Sequence, residues 1–206
     1  LVVPSDKVES TISIAKEFIS EQPVVICSKG FGPDLKFLRG VVAEKVSGSV
    51  FCLYGPTHAE EVCKEMFSGI VLAGGKGKEE LMKVIATDNL KVDLSDDLIG
   101  VQVSAALKNI LAVFVGVLDG MGLGDNAKAY IMTRGLEEIK SVGVALGGKE
   151  ETFYGLAGIG DMIVTSTSSH SRNRSVGVEV GKGRKLDEVI KEMAMVAEGV
   201  TTLKEA

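Results

Sequence analysis

The chain has 206 residues, enough for one large domain or two small ones with real cores. Hydrophobic residues make up 45% and charged residues 25%, an ordinary globular balance, and a net charge of −5 argues against a broad nucleic-acid surface while leaving room for a local basic pocket. Three cysteines (Cys27, Cys52, Cys63) read as reduced thiols of a cytoplasmic protein, and the two histidines (His58, His170) join no group at ligand spacing, so no metal site is expected.

The first part alternates. LVVP (1–4) reads as a short strand already in progress, as in a piece of a longer protein, and Asp6 to Ser20 carries helical periodicity through Val8, Ile12, Ile14, Ala15 and Ile19. PVVICS (23–28) is a continuous apolar run of the kind found in buried parallel strands, and a helix is expected over 34–46. SVFCLY (49–54) is the next strand, then a helix from Thr57 to Phe67, the strand SGIVLAG (68–74), a helix from Glu79 to Ala86, and the strand NLKVDLS (89–95). Alternation of this kind predicts a Rossmann-like, doubly wound parallel α/β sheet over residues 1–95, with ligands beyond the carboxyl ends of the strands. Gly74-Gly75-Lys76-Gly77-Lys78 fits neither G-x-G-x-x-G nor a P-loop and reads as an exposed turn.

From residue 96 onward only helical segments are expected, at about 96–118, 126–147, 150–157, 172–182, 185–195 and from 198, forming an all-α domain over 96–206. Residues 99–118 are the most apolar stretch, but Gln102, Ser104, Lys108 and Asn109 run through its middle, which argues against a membrane span. Between Asp97 and Asp119 the only charged residue is Lys108, on a helix apolar all round. The residues alone leave two readings: the lysine snorkels to solvent, or it faces a cavity with a partner. A glycine-rich turn (Gly120, Gly122, Gly124) follows, with Asp125 as the expected cap of the next helix.

Gly158-Ile159-Gly160-Asp161 introduces a run dense in hydroxyls, TSTSSHSRNR (165–174). Arginine beside an amide and several hydroxyls at a helix start is chemistry that holds a phosphate, although a solvated polar loop and a plain capping aspartate remain open on composition. If the fold brings Asp161 to Lys108, the carboxylate offsets the ammonium's desolvation and aims it at a substrate oxygen.

Over essentially its whole length the chain resembles the NAD(P)-dependent glycerol-3-phosphate dehydrogenases, through LVVPSDKV, SKGF, YGPTHAEEV, GVQVSAALKNILAVFVGVLDGMGLGDNAKAYIMTRGLEE, GLAGIGDMIVTSTSSHSRNR and VAEGVTT. The resemblance implies reversible reduction of dihydroxyacetone phosphate to sn-glycerol 3-phosphate with NAD or NADP as cofactor, supplying phospholipid synthesis. It also implies a cytoplasmic homodimer without nucleic-acid partners. Carried over by position, Lys108 matches the catalytic proton donor and acceptor, with Asn109, Asp161 and Thr165 around it. Ser171, Arg172 and Asn173 match the substrate-phosphate residues, with Arg172 also facing the cofactor. Lys29 matches a lysine shared by cofactor and substrate, and Gly55 and Thr57 match substrate-loop residues. Ala59, Val196 and Glu198 match cofactor contacts.

Two departures stand beside the likeness. The strand, glycine-rich turn and helix that cradle the pyrophosphate in this family have no counterpart between Leu1 and Ala206, and neither do the family's final helices. Three alternatives follow: a 2-hydroxyacid or 6-phosphogluconate-type dehydrogenase of the same architecture, a Schiff-base lyase using Lys108 as nucleophile, or a scaffold without turnover.

Overall fold

The computed structural model describes residues 1–193 and 197–205. Four strands form one sheet in the order β1 (Val24–Ile26), β2 (Val50–Tyr54), β3 (Ser68–Ala73) and β4 (Leu90–Ser95). The expected parallel arrangement holds for β1–β2 and β3–β4, but β2 and β3 run antiparallel, with Cys52 opposite Ala73 and Tyr54 opposite Val71. The sheet is therefore mixed. A continuous apolar run packs equally well in either direction, which is why periodicity did not reveal the reversal. LVVP forms no strand, although Leu1 hydrogen-bonds along β1 through Val25 O and the Cys27 N–H.

The first three helices of this part are shorter than the periodicity predicts, while α4 has the expected length. A 3₁₀ turn (Ser5–Lys7) leads into α1 (Val8–Ala15), α2 spans Leu38–Ala43, α3 only Ala59–Val62, and α4 Lys78–Ile85. Asp34 and Leu35 have positive φ and delay α2, and Glu65, also at positive φ, terminates the turn after α3. Gly74–Gly77 is a turn, as expected, with Gly77 at φ 92° ahead of α4. One face of the sheet packs on α1 and α2 through Val8, Ile12, Ile26, Leu38 and Val42.

The other face packs on a long central helix, α5 (Leu98–Gly120), through Cys52, Tyr54, Val71, Val101 and Ala105. Asp97 caps α5, its Oδ1 accepting from the Gly100 N–H at 2.8 Å while Oδ2 accepts from the Lys149 N–H and the Thr152 hydroxyl. Helix α5 has the length and apolarity of a membrane span, yet 72% of its most apolar 18-residue stretch is buried within the fold. Around it lie α6 (Gly124–Ala145), α7 (Glu150–Phe153), a π-helical turn (Leu156–Gly160), α8 (Asp161–Thr167), α9 (Arg172–Gly181), α10 (Leu186–Glu192) and α11 (Glu198–Glu205). Asp125 does not cap α6. Leu123 holds the cap position, and Asp125 instead pairs with Lys128 at 2.7 Å. The expected 150–157 helix stops at Phe153, where the backbone widens into the π turn.

Helices α5 and α9 meet backbone to backbone. Gly116 and Gly120 on one face Gly177 and Gly181 on the other, and a Cβ on Gly177 would lie 2.0 Å from the Val113 carbonyl oxygen. This contact draws the start of α9 against the middle of α5, where the polar residues of both helices collect.

Candidate active site

Helix α5 carries Lys108 into the interior, and α8 carries its partners. Asp161 and Thr165 lie one turn apart on α8, so their side chains share a face. Lys108 Nζ donates to Asp161 Oδ1 at 2.7 Å and to the Thr165 hydroxyl. Lys29, in the loop after β1, donates to Asp161 Oδ2 at 2.7 Å and to the Gly55 carbonyl at 3.1 Å. Each carboxylate oxygen thus takes one ammonium. Asp161 is 1% exposed and Lys108 4%, so the lysine does not snorkel. The Lys29 side chain is 22% exposed, which puts the open side of the cluster there.

The electrostatics follow from this burial. Desolvation drives the Lys108 pKa down from 10.5 to about 7, Lys29 pushes the same way, and Asp161 opposes both. Burial alone would raise the Asp161 carboxyl, but the charges of Lys108 and Lys29 outweigh it and hold the group below the ordinary carboxylate range. A buried lysine that titrates near neutrality can give up or accept a proton, which an ordinary surface lysine does not do at pH 7. With both lysines protonated, two cations face one carboxylate, an excess of positive charge suited to an anionic ligand.

A second polar group adjoins the first. Asn109 Nδ2 donates to the Ala105 carbonyl at 3.2 Å, and its Oδ1 accepts from Asn173 Nδ2 at 3.0 Å. Asn173 Oδ1 in turn accepts from the Gly199 N–H at 2.8 Å, so α5, α9 and α11 are stitched together by two amides. Gly199 has no room for a side chain, since a Cβ there would lie 2.3 Å from the Asn109 carbonyl oxygen.

The remaining expected residues fall at various distances from this centre. Thr57 donates to the Gly55 carbonyl at 3.3 Å, beside Lys29, and Gly55 packs so closely on β3 that a Cβ would sit 2.9 Å from Ile70 Cα. Ser171 is a helix cap, its hydroxyl accepting from the Arg174 N–H, and is 3% exposed. Arg172 is exposed on the first turn of α9, and Ala59 is exposed at the start of α3. Glu198 is half-buried at the start of α11 and hydrogen-bonded to Ser5. Val196 lies outside the described residues.

Two parts of the run 165–174 depart from the polar loop that composition left open. Residues through Thr167 belong to α8, which is how Thr165 comes to face Lys108. Arg174 turns away from the cluster to Asp119, which also pairs with Lys128. With Asp125, which also pairs with Lys128, these three line a cavity of about 330 Å³ on another side of α5, where two cations meet two carboxylates. Two contributions went unread in the sequence. Ser5 gave no signal, whereas the glycines of α5 and α9 were detectable as two G-x-x-x-G spacings on helical segments.

Comparison with known proteins agrees with this architecture. The family profile described as NAD-dependent glycerol-3-phosphate dehydrogenase C-terminus matches residues 97–206, and the profile for the N-terminus of the same family matches residues 1–80. The glycerol-3-phosphate dehydrogenase [NAD(P)+] of Clostridium botulinum (strain Eklund 17B / Type B) is 43% identical over 99% of this chain and 63% of its own length. That of Fusobacterium nucleatum is 42% identical over 100% of this chain and 64% of its own. The chain thus spans less than two thirds of the curated relatives it matches. The crystal structure of glycerol-3-phosphate dehydrogenase from Coxiella burnetii superposes with a TM-score of 0.95 at 32% identity, covering 98% of this chain and 64% of that one. Glycerol-3-phosphate dehydrogenase from Saccharomyces cerevisiae superposes at 0.87 with 27% identity, over 98% of this chain and 63% of that one. With a lysine–aspartate–lysine cluster between sheet and helices and a family profile over more than half its residues, the chain belongs to the NAD-dependent glycerol-3-phosphate dehydrogenase family.

Proposed function

We propose that this chain carries the substrate site and proton-transfer residues of an enzyme that reversibly reduces dihydroxyacetone phosphate to sn-glycerol 3-phosphate with NADH or NADPH. Residues 1–95 serve as the second part of the dinucleotide-binding unit and 96–206 as the helical substrate domain. The observation that carries the reading is Lys108, buried, paired with Asp161 and Thr165, and titrating at about 7.

The residues present suit one side of a dinucleotide. Gly30, at φ 140°, lets the chain after Lys29 pass against Ser5 and Glu198 where a Cβ would clash, and the half-buried Glu198 carboxylate held there is an acceptor for a hydroxyl or amide donor. When bound, the reduced cofactor supplies hydride to the carbonyl carbon. The protein's task is the proton. Protonated Lys108 donates it to the carbonyl oxygen, which becomes the hydroxyl of the product, and the neutral amine regains a proton from solvent. Asp161 keeps the ammonium aimed while it is charged, and Thr165 fixes its rotamer. In the oxidative direction neutral Lys108 takes the hydroxyl proton. Lys29, on the open side of the cluster, and Arg172, with Asn173 on the first turn of α9, offer cationic and amide donors to a phosphate dianion.

The whole enzyme is read as a cytoplasmic homodimer. The three free thiols suit a reducing compartment, and Phe114, Met121, Leu123 and Tyr130 leave apolar surface along α5 and α6 for a subunit partner. The test follows reduced-cofactor absorbance in the full-length enzyme as dihydroxyacetone phosphate is added, with NADH and NADPH separately. Rapid oxidation is expected with at least one. No oxidation with either would discard this substrate in favour of the 2-hydroxyacid relatives.

A further inference from the structure

The proton-transfer cluster does not include the polar contact that joins the two ends of the described chain. Ser5, from the 3₁₀ turn before α1, donates its hydroxyl to Glu198 Oε2 at 2.6 Å and its N–H to Oε1 at 3.1 Å, joining residues 193 apart in sequence. Ser5 is 3% exposed, whereas Glu198 is only half-buried. Both oxygens of the carboxylate are engaged from one side. A carboxylate has about four lone-pair directions, so about two remain for donors arriving from the open side.

The surroundings leave Glu198 little freedom. Gly30 presses on the pair, and a Cβ there would lie 2.8 Å from Ser5 Oγ and 3.4 Å from Glu198 Oε2. Gly30 follows Lys29, whose ammonium is bonded to Asp161. On its other side, Glu198 precedes Gly199, whose N–H is held by Asn173 and through it by Asn109. Glu198 is thus clamped between the loop after β1 and the start of α11.

We propose that Ser5 is a positioning residue: it orients the Glu198 carboxylate so that its free lone pairs accept a hydrogen-bond donor of the bound NAD(P), a ribose hydroxyl or the carboxamide N–H. The inference rests on the function proposed above, with Glu198 as a cofactor contact, and assigns Ser5 a role exerted through that residue. A pre-oriented acceptor binds without first ordering a flexible side chain, which is where the affinity arises.

The experiment is a double-substitution cycle in the full-length enzyme, with NADH and NADPH titrated separately without substrate and binding read by nucleotide fluorescence. Ser5→Ala is expected to raise the Kd of the preferred cofactor by up to about tenfold, the cost of ordering one flexible side chain in the binding step. At saturating cofactor kcat and the KM for dihydroxyacetone phosphate are expected to stay within twofold of the parent. Glu198→Ala should weaken the cofactor at least as much, and adding Ser5→Ala to Glu198→Ala should change the Kd no further. A Ser5→Ala protein with lowered Tm but unchanged Kd would overturn the inference and leave Ser5 a purely structural tie. A further loss in the Glu198→Ala background would overturn it too. If the unsubstituted enzyme bound neither nucleotide, both this inference and the function beneath it would fall. Binding that Ser5→Ala leaves unaltered would remove only this inference.

Discussion

Gly177→Ala is the substitution for which the structure makes the sharpest forecast, because two opposing effects meet at one backbone position. In a helix with room for a methyl group, glycine to alanine stabilises by up to about 1 kcal/mol through backbone entropy. Gly177 has no such room: the new Cβ would lie 2.0 Å from the Val113 carbonyl oxygen and 2.9 Å from Gly116 Cα. A carbon normally stops about 3.3 Å from a carbonyl oxygen, so α9 would have to back away from α5 by roughly 1.3 Å. Overpacking of this kind costs about 1–3 kcal/mol, and retreat along the whole contact forfeits dispersion at Gly116, Gly120 and Gly181 as well. The net expectation is a loss of about 1–3 kcal/mol. Gly40, in α2, supplies the control, because a Cβ there meets nothing within 4 Å. Gly40→Ala should be neutral or stabilising by up to about 1 kcal/mol. Urea unfolding followed by circular dichroism compares the two midpoints at constant slope. A Gly177→Ala protein as stable as the parent would refute the backbone-to-backbone contact. The shift should also reach the site, because α9 carries Asn173, bonded to Asn109 at 3.0 Å.

The remaining forecasts concern the cluster. Lys108 at about 7 should appear in the pH dependence of kcat, with reduction falling as pH rises through 7, where the donor loses its proton, and oxidation rising through the same range. Pre-steady-state rates in both directions check the sign, and a pH-independent pair of profiles would remove Lys108 from the proton step. The same group makes a stability forecast. Its folded pKa lies below its ordinary 10.5, so between about pH 7 and 10.5 the unfolded chain holds a proton that the folded chain lacks. This group's contribution therefore rises with pH across that window, by about 1.4 kcal/mol per unit, and levels off below it. Unfolding at pH 7 and pH 9 should show the rise in the parent, and Lys108→Met should abolish it; equal slopes would contradict the burial. Asp161→Asn removes the anion between two ammonium groups, so kcat should fall by roughly 100-fold or more while the substrate KM moves less. Arg172→Ala should do the reverse, raising the KM for dihydroxyacetone phosphate sharply with kcat retained. Steady-state kinetics on the pair tests the division of roles, and near-parental values for both would refute it.

Much of this protein was written in local pattern. Helical periodicity in α5, apolar runs at β1 to β3 and the lone lysine on an apolar helix are properties of neighbouring residues, and each is legible from a few turns of chain. So is the chemistry of Arg172, Asn173 and the hydroxyls around them, because side-chain type does not depend on the fold. What contact decides was not legible. The antiparallel direction of β3 and the turning of Arg174 to Asp119 depend on which surfaces meet, and the pairing of Lys108 with Asp161 was expected only on the condition that the fold joined them and through the resemblance. The Lys108–Asp161 and Lys29–Asp161 bonds join residues 53 and 132 apart, and Ser5 meets Glu198 across 193. No periodicity reports such a pairing. Burial sets the proton affinity of Lys108, and burial comes only when helix, sheet and the glycine-lined approach of α9 close around it.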